Sequence, residues 1–258
     1  MLRSPRRTAL AVTVAGLLLA GAAGCAAGAS DAPPAARTPG SAPPVASSGA
    51  PAEPEVYVAI GASETVGVGA DDPETQSWPR VLHDRALPGT RFVDVGVSGA
   101  TVRDALAGQL ARALAEDPDV VTVWLAVNDA LSLVPVPDYE QLLGSLVHAL
   151  RQGGRTEVLV GNVPPLDQLP AYRACLPGPG VTDVPCPLPL VPGPAEVRAT
   201  VAAFNAAIAR VVERDGAVLV DLSSQRDLAA LTSDDGFHPS TRGHRVVARA
   251  FAAALRAG

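Results

Sequence analysis

Five short runs of β-branched and apolar residues alternate with five helix-length amphipathic segments between Glu55 and the C-terminus. Few architectures accommodate that order. Strands separated by helices need crossover connections, so they pair in parallel, and a parallel sheet must be covered on both faces. The runs are Val56 to Ile60, Arg91 to Val97, Val120 to Val127, Glu157 to Gly161 and Ala217 to Leu222. The third is the most apolar and predicts the centre of the sheet. Right-handed crossovers then give a three-layer α/β/α fold with a five-stranded sheet in the flavodoxin-like order 2-1-3-4-5.

The helices follow from spacing. Ser77 to Ala86 turns Trp78, Val81 and Leu82 to one side. Thr101 to Glu116 carries Val102, Leu106, Leu110 and Leu114 at intervals of four. Asp138, with Gln141 three residues on, predicts the start of a helix whose core face is Leu142, Leu143, Leu146 and Leu150. Pro194 opens a helix through Val197, Val201, Phe204, Ile208 and Val211, and the last helix turns Val247, Phe251 and Leu255 inward.

The remainder of the chain divides cleanly. Residues 1–25 read as an export signal: Arg3, Arg6 and Arg7, an apolar run from Ala9 to Ala20, then small residues before Cys25. The run is too short for a confident membrane span. Small residues before a cysteine resemble a lipobox, which implies lipidation at Cys25 and a membrane anchor, although Ala22 stands where leucine is usual. An ordinary secretory signal, or a twin-arginine signal through Arg6 and Arg7, is the alternative. Either places the protein outside the cell or on the outer face of its membrane. Residues 26–54 are rich in Ala, Pro, Ser and Gly and predict a disordered tether. Residues 55–258 form one domain, expected to be a monomer.

Lysine is absent and the formal charge is −6; removal of the signal takes three arginines and no acid, giving −9. An acidic exported domain argues against nucleic acid or anionic lipid headgroups as partners. Cys175 and Cys186 lie in a long proline-rich stretch, residues 162–194, and predict a disulfide in an exported chain. Closing a loop of about a dozen residues is worth on the order of 3 kcal/mol in the chain-entropy view. No further ligands are spaced to make these cysteines a metal site.

The chemistry gathers at strand ends. Ser63 follows strand one, Gly99 strand two and Asn128 strand three, while Asp235 and His238 follow strand five. All these turns open on the carboxyl edge of the sheet, where sites form in such folds. Together they make an acyl-transfer set. Ser63 would be the nucleophile, His238 the general base and Asp235 the acid that orients it. The backbone N–H groups of Ser63 and Gly99 and the side-chain amide of Asn128 could receive the oxyanion. Taken singly, Ser63 is an ordinary turn serine and Asn128-Asp129 an ordinary strand-ending turn.

Four separated motifs resemble the SGNH hydrolases, the GDSL lipase/esterase superfamily: Gly61-Ala62-Ser63-Glu64, Val97-Ser98-Gly99-Ala100-Thr101, Ala126-Val127-Asn128-Asp129 and Asp235-Gly236-Phe237-His238-Pro239. The resemblance covers roughly residues 55 to 258. It implies Ser63, Gly99, Asn128 and His238 as the four name residues, Asp235 rather than Asp234 as the acid, and a serine esterase that needs no metal or organic cofactor. Three positions depart from it. Ala62 replaces the usual aspartate, Glu64 the usual leucine, and Ala126 a glycine. The substrate would be a small-molecule, lipid or polysaccharide ester; an O-acetylated polysaccharide and a lysophospholipid both fit. A degenerate member that only binds cell-wall glycan or acyl chains is the rival reading. His83 and His148 are expected to serve packing or surface roles, and Trp78 and Trp124 to lie in the core, with the lining of a cleft the lesser alternative for Trp78. Ser98 and Asn162 are further candidates for substrate contact.

Overall fold

A computed structural model describes residues 53–176, 186 and 191–257. The export signal, Cys25, nearly all of the tether and much of the proline-rich stretch lie outside the described residues.

Strand β1 is Val56–Gly61, followed by helices α1 (Pro73–Gln76) and α2 (Trp78–Ala86), then β2 (Arg91–Asp94). Helix α3 (Val102–Asp104) runs through a π turn, Ala105–Gln109, into α4 (Leu110–Ala115). Then come β3 (Val120–Trp124), the short α5 (Val127–Leu131), α6 (Val136–Arg151) and β4 (Glu157–Gly161). The chain ends through α7 (Pro170–Arg173), α8 (Pro194–Asp215), β5 (Val218–Val220) and α9 (Thr241–Leu255). The five strands form one parallel sheet in the order β2-β1-β3-β4-β5, as the alternation predicts.

Side chains alternate across the sheet with a period of two. Val58, Ile60, Val121, Val123, Val158 and Val160 face a core shared with α6 and α8, through Leu143, Leu146, Phe204 and Ile208. Tyr57, Ala59, Trp124 and Leu159 face the other layer, where Trp78 of α2 stacks on Phe251 of α9 at 4.3 Å between ring centres. Both rings are fully buried. Burial of one such side chain stabilises the fold by roughly 1.5–3 kcal/mol.

Several boundaries differ from the sequence reading, each for a local reason. Strand β2 stops at Asp94, not Val97. The Asp94 carboxylate accepts from the Gly96 N–H at 2.7 Å and turns the chain, while the Val95 and Val97 N–H groups still bond to β1. Strand β3 stops at Trp124, because Ala126 has φ 136° and opens α5. A positive φ carries strain in a residue with a Cβ, which explains why the resembled family has glycine at this place. Helix α6 starts at Val136, with Pro135 at its N-cap, so Asp138 sits inside the first turn. Strand β5 is shorter than Ala217 to Leu222. The stretch after β4, read as irregular, contains α7.

Asp129 is fully buried and accepts from the Val102 N–H at 3.2 and 3.1 Å, so it ties the start of α3 to the turn after β3. Burial holds its carboxyl up at about 6, against the lowering effect of that bond. Burial likewise holds Asp94 up at about 6, opposed by the Gly96 N–H and Arg112. A carboxyl whose value is raised by folding contributes stability that is fully present below the ordinary value of about 3.9 and lost as pH rises through the folded value. The melting temperature should therefore carry a component that falls between about pH 4 and pH 6. Asp129→Asn, which still accepts from Val102 and does not titrate, should remove its part, roughly 3 kcal/mol for a rise from 3.8 to about 6. Thermal melts of both proteins across this range check it; superimposable profiles would contradict it.

Candidate active site

The Ser63 turn begins where β1 ends. A buried glutamine holds that end: Gln109 Oε1 accepts from the Gly61 N–H at 3.0 Å, and Gln109 Nε2 donates to the Gly61 carbonyl at 2.9 Å. Gln109 reaches it from the π turn, a local widening often found beside sites. Beyond Gly61 the chain coils through Ser63, closed by the Val68 N–H donating to the Ser63 carbonyl at 2.9 Å. His244 of α9 clamps the far side. Its Nε2 donates to the Val68 carbonyl at 3.1 Å, and its Nδ1 accepts from the Trp78 N–H at 3.2 Å. Burial pushes the His244 imidazolium down to about 4, which keeps the ring neutral and able to accept. Gly69 lets the two loops meet: a Cβ there would lie 2.4 Å from the Pro239 carbonyl oxygen, and its φ is 92°.

The loop after β5 brings the other partners. Asp235 Oδ1 accepts from the N–H groups of Phe237 at 2.8 Å and His238 at 2.9 Å, and from Ser233 Oγ at 2.9 Å. Its Oδ2 lies 2.5 Å from His238 Nδ1. Partial burial raises the Asp235 carboxyl, but the bonds from His238, Phe237 and Ser233 outweigh it and hold it down at about 2. His238 Nε2 lies 3.0 Å from Ser63 Oγ. With the ring proton on Nδ1, pointing at Asp235, Nε2 is left to accept from the Ser63 hydroxyl. The structure thus joins Ser63, His238 and Asp235 in one chain of hydrogen bonds spanning 175 residues of sequence. Asp234 takes no part in it.

Gly99 lies in the turn after β2 with φ 79°, a conformation that favours glycine, and a Cβ there would point into open space. Conformation, more than close approach of a neighbour, sets the need for glycine here. Among the described residues, neither the Ser63 nor the Gly99 N–H is used in an intramolecular hydrogen bond. Both donors are therefore free to receive a ligand oxygen. Asn128 lies in α5; its Nδ2 donates to the Ala100 carbonyl at 3.0 Å. An amide nitrogen carries two hydrogens, so one remains. Asn128 borders a small cavity with Ala62 and Glu64.

An apolar cavity of about 60 Å³ opens beside this constellation, walled by Trp124, Leu222, Leu231, Phe237 and Val247, with Glu64 as its one charged group. A larger groove of about 290 Å³ continues past Phe237, between α5 and the start of α8, and is lined by Leu131, Leu133, Tyr172, Val197 and Val201. Leu133 is 83% exposed there.

The other candidates divide. Trp124, not Trp78, lines the cavity; Trp78 is wholly in the core. Asn162 is turned to structure: its Oδ1 accepts from the Leu222 and Ser223 N–H groups at 2.6 and 3.0 Å, and its Nδ2 donates to Asp221 at 3.0 Å. Ser98 is exposed. His83 stacks on Phe92, and His148 is exposed near Asp215. Cys175 and Cys186 are joined as a disulfide with Cα atoms 4.7 Å apart. Sequence reading missed Gln109 and the clamp made by His244. Only a buried-looking polar residue in an apolar stripe, and a second histidine six positions after the first, could have hinted at them.

Comparison with curated protein sequences finds no match. Among solved structures, the crystal structure of TesA superposes with a TM-score of 0.59 at 20% identity, over 79% of this chain and 99% of that one. The psychrotrophic esterase EstA from Pseudoalteromonas sp. gives 0.57 at 17%, over 79% and 97%. The acetylxylan esterase Axe2 from Geobacillus stearothermophilus gives 0.56 at 22%, over 78% and 94%. These likenesses support the fold. The GDSL-like Lipase/Acylhydrolase family matches residues 59–246, which contain all four motifs. With nearly three-quarters of its length inside that match, the chain belongs to the GDSL-like lipase/acylhydrolase family.

Proposed function

We propose that the protein hydrolyses carboxylic esters through an acyl-enzyme on Ser63. The observation that carries this is the Ser63–His238–Asp235 chain of hydrogen bonds. His238 Nε2 takes the proton as Ser63 Oγ bonds to the ester carbon. The carbonyl oxygen becomes an oxyanion facing the N–H groups of Ser63 and Gly99 and the amide of Asn128. Collapse breaks the bond to the alcohol oxygen, which leaves with the proton from His238. Water, deprotonated by the same nitrogen, attacks the acyl carbon; the adduct then breaks its bond to Ser63 Oγ, which takes the proton back from His238 as the carboxylic acid leaves. Asp235 stays ionised and holds the imidazolium; its carboxyl at about 2 suits that task.

The apolar cavity and groove are suited to the apolar part of an ester. The departures at Ala62, Glu64 and Ala126 are what favours the rival reading of a pure binding module; the hydrogen bonds joining Ser63, His238 and Asp235 favour hydrolysis over it. Export, and anchoring through Cys25, rest on the sequence of residues 1–25.

Turnover of p-nitrophenyl acetate and butyrate tests the reading; a folded protein that hydrolyses neither would overturn it. Asn128→Ala is expected to lower kcat by about a hundredfold or more, the usual effect of losing one oxyanion donor, with a smaller change in KM. Steady-state kinetics on the same esters check this, and an unchanged kcat would remove Asn128 from the oxyanion site.

A further inference from the structure

The residue after Ser63 is a glutamate, and the fold does nothing evident with it. Glu64 is half-buried at the mouth of the apolar cavity, where Trp124 and Phe237 contribute ring surface. It also borders the small cavity in front of Asn128. Its Oε2 lies 3.4 Å from Ser63 Oγ, too far for a strong bond. No arginine or lysine lines either cavity. His238, the one basic group that acts on it, already has Asp235 as its partner. Burial is the larger influence on Glu64 and raises its carboxyl; its own backbone N–H, His238 and the Ser63 hydroxyl oppose this.

We propose that Glu64 is a specificity-determining residue that selects acyl groups bearing a protonated amine on the carbon next to the ester carbonyl. The proposal rests on Ser63 being the acylated residue. Such an amine is two bonds from the carbon that Ser63 Oγ attacks, which brings it within reach of a carboxylate 3.4 Å from that oxygen. Apolar walls strengthen a charge pair relative to water. The neighbouring rings attract cations in addition, and the net charge of −6 draws them toward the protein. A plain alkyl chain in the same place would leave the carboxyl covered and unpaired, which is costly. An amine further along the chain would carry its charge past Glu64 and onto the apolar walls. The cavity volume of about 60 Å³ keeps the acyl part short.

Methyl butyrate and methyl 2-aminobutyrate differ only in that amine. Their kcat/KM ratio is measured at about pH 6, where an α-amine with its usual value of about 7.7–8.0 is protonated. The proteins are wild type, Glu64→Gln and Glu64→Leu. The ratio cancels any general loss caused by disturbing the turn. Wild type should favour the amino ester, and both substitutions should lower the ratio by about tenfold or more. A ratio unchanged within about twofold in both variants overturns the inference and leaves the Ser63 chemistry standing. Failure of wild type to hydrolyse either ester, or hydrolysis that survives Ser63→Ala, overturns both together. Should the variants not fold, inhibition of wild type decides: propylamine should inhibit methyl butyrate hydrolysis more strongly than 1-propanol, and equal inhibition overturns the inference.

Discussion

Replacing Ser63 by alanine is expected to reduce ester hydrolysis by about 10⁵- to 10⁶-fold, down to the background that the oxyanion donors and substrate binding sustain. The Oγ that lies 3.0 Å from His238 Nε2 is the atom that would bond to carbon, and no other hydroxyl occupies that place in the hydrogen-bond chain. His238→Ala should cost a similar factor, and the double variant little more than either single one, because the two groups act as a unit. The fold should survive both changes. Ser63 lies in a turn held by backbone bonds, by Gln109 and by His244. A Ser63→Ala protein with turnover within about tenfold of wild type would refute the nucleophile.

Asp235→Asn is the second large effect, a loss of about 10⁴-fold in kcat. The reason is proton placement. Asp235 Oδ2 faces His238 Nδ1 at 2.5 Å, so the ring proton sits on Nδ1 and Nε2 is free to accept. An amide nitrogen at that position would donate instead, drive the ring proton to Nε2, and leave Ser63 without a base. The backbone should tolerate the change, since the remaining carbonyl oxygen can still accept from Phe237 and His238 as Asp235 Oδ1 does. The readout is kcat together with the melting temperature: kcat falls while the melt moves by only a few degrees. A loss below about tenfold would mean that Asp235 only shapes the loop.

The sheet could be read from the sequence because the three inner strands bury both faces, as with Tyr57 and Ala59 on one side and Val58 and Ile60 on the other. That leaves short continuous apolar runs, and parallel pairing follows from the helices between them. Ser63, Gly99, Asn128, Asp235 and His238 could be placed at one edge for the same reason. Ranges were less legible. Ala126 leaves β3 early through a backbone angle that alanine seldom adopts; its own identity does not announce it, and only the glycine usual at this place in the resembled motif could have hinted at it. Gln109 was hidden because it sits within a helical apolar pattern and acts on Gly61, 48 residues away. Likewise, His244 meets Val68 across 176 positions. Such partners are chosen by tertiary packing, which local pattern does not encode. Both tryptophans are buried, as expected of apolar aromatic residues, but that Trp124 also borders the cavity was not legible, because only the stacking of Trp78 on Phe251 separates their surroundings.

Ala126 and Glu64 are the departures from the family pattern that the structure makes informative. Ala126 keeps the unusual angle despite its Cβ, so the turn presenting Asn128 is held by its surroundings, including buried Asp129. Glu64 places a carboxyl in the otherwise uncharged lining of the cavity, 3.4 Å from Ser63 Oγ.

The most direct test of the account is covalent labelling with a fluorophosphonate, followed by mass spectrometry of the digested protein. The account predicts one modified residue, Ser63, in wild type, with labelling lost in Ser63→Ala and slowed strongly in His238→Ala. A folded wild-type protein that stays unmodified, or that carries the label on another residue, would contradict it.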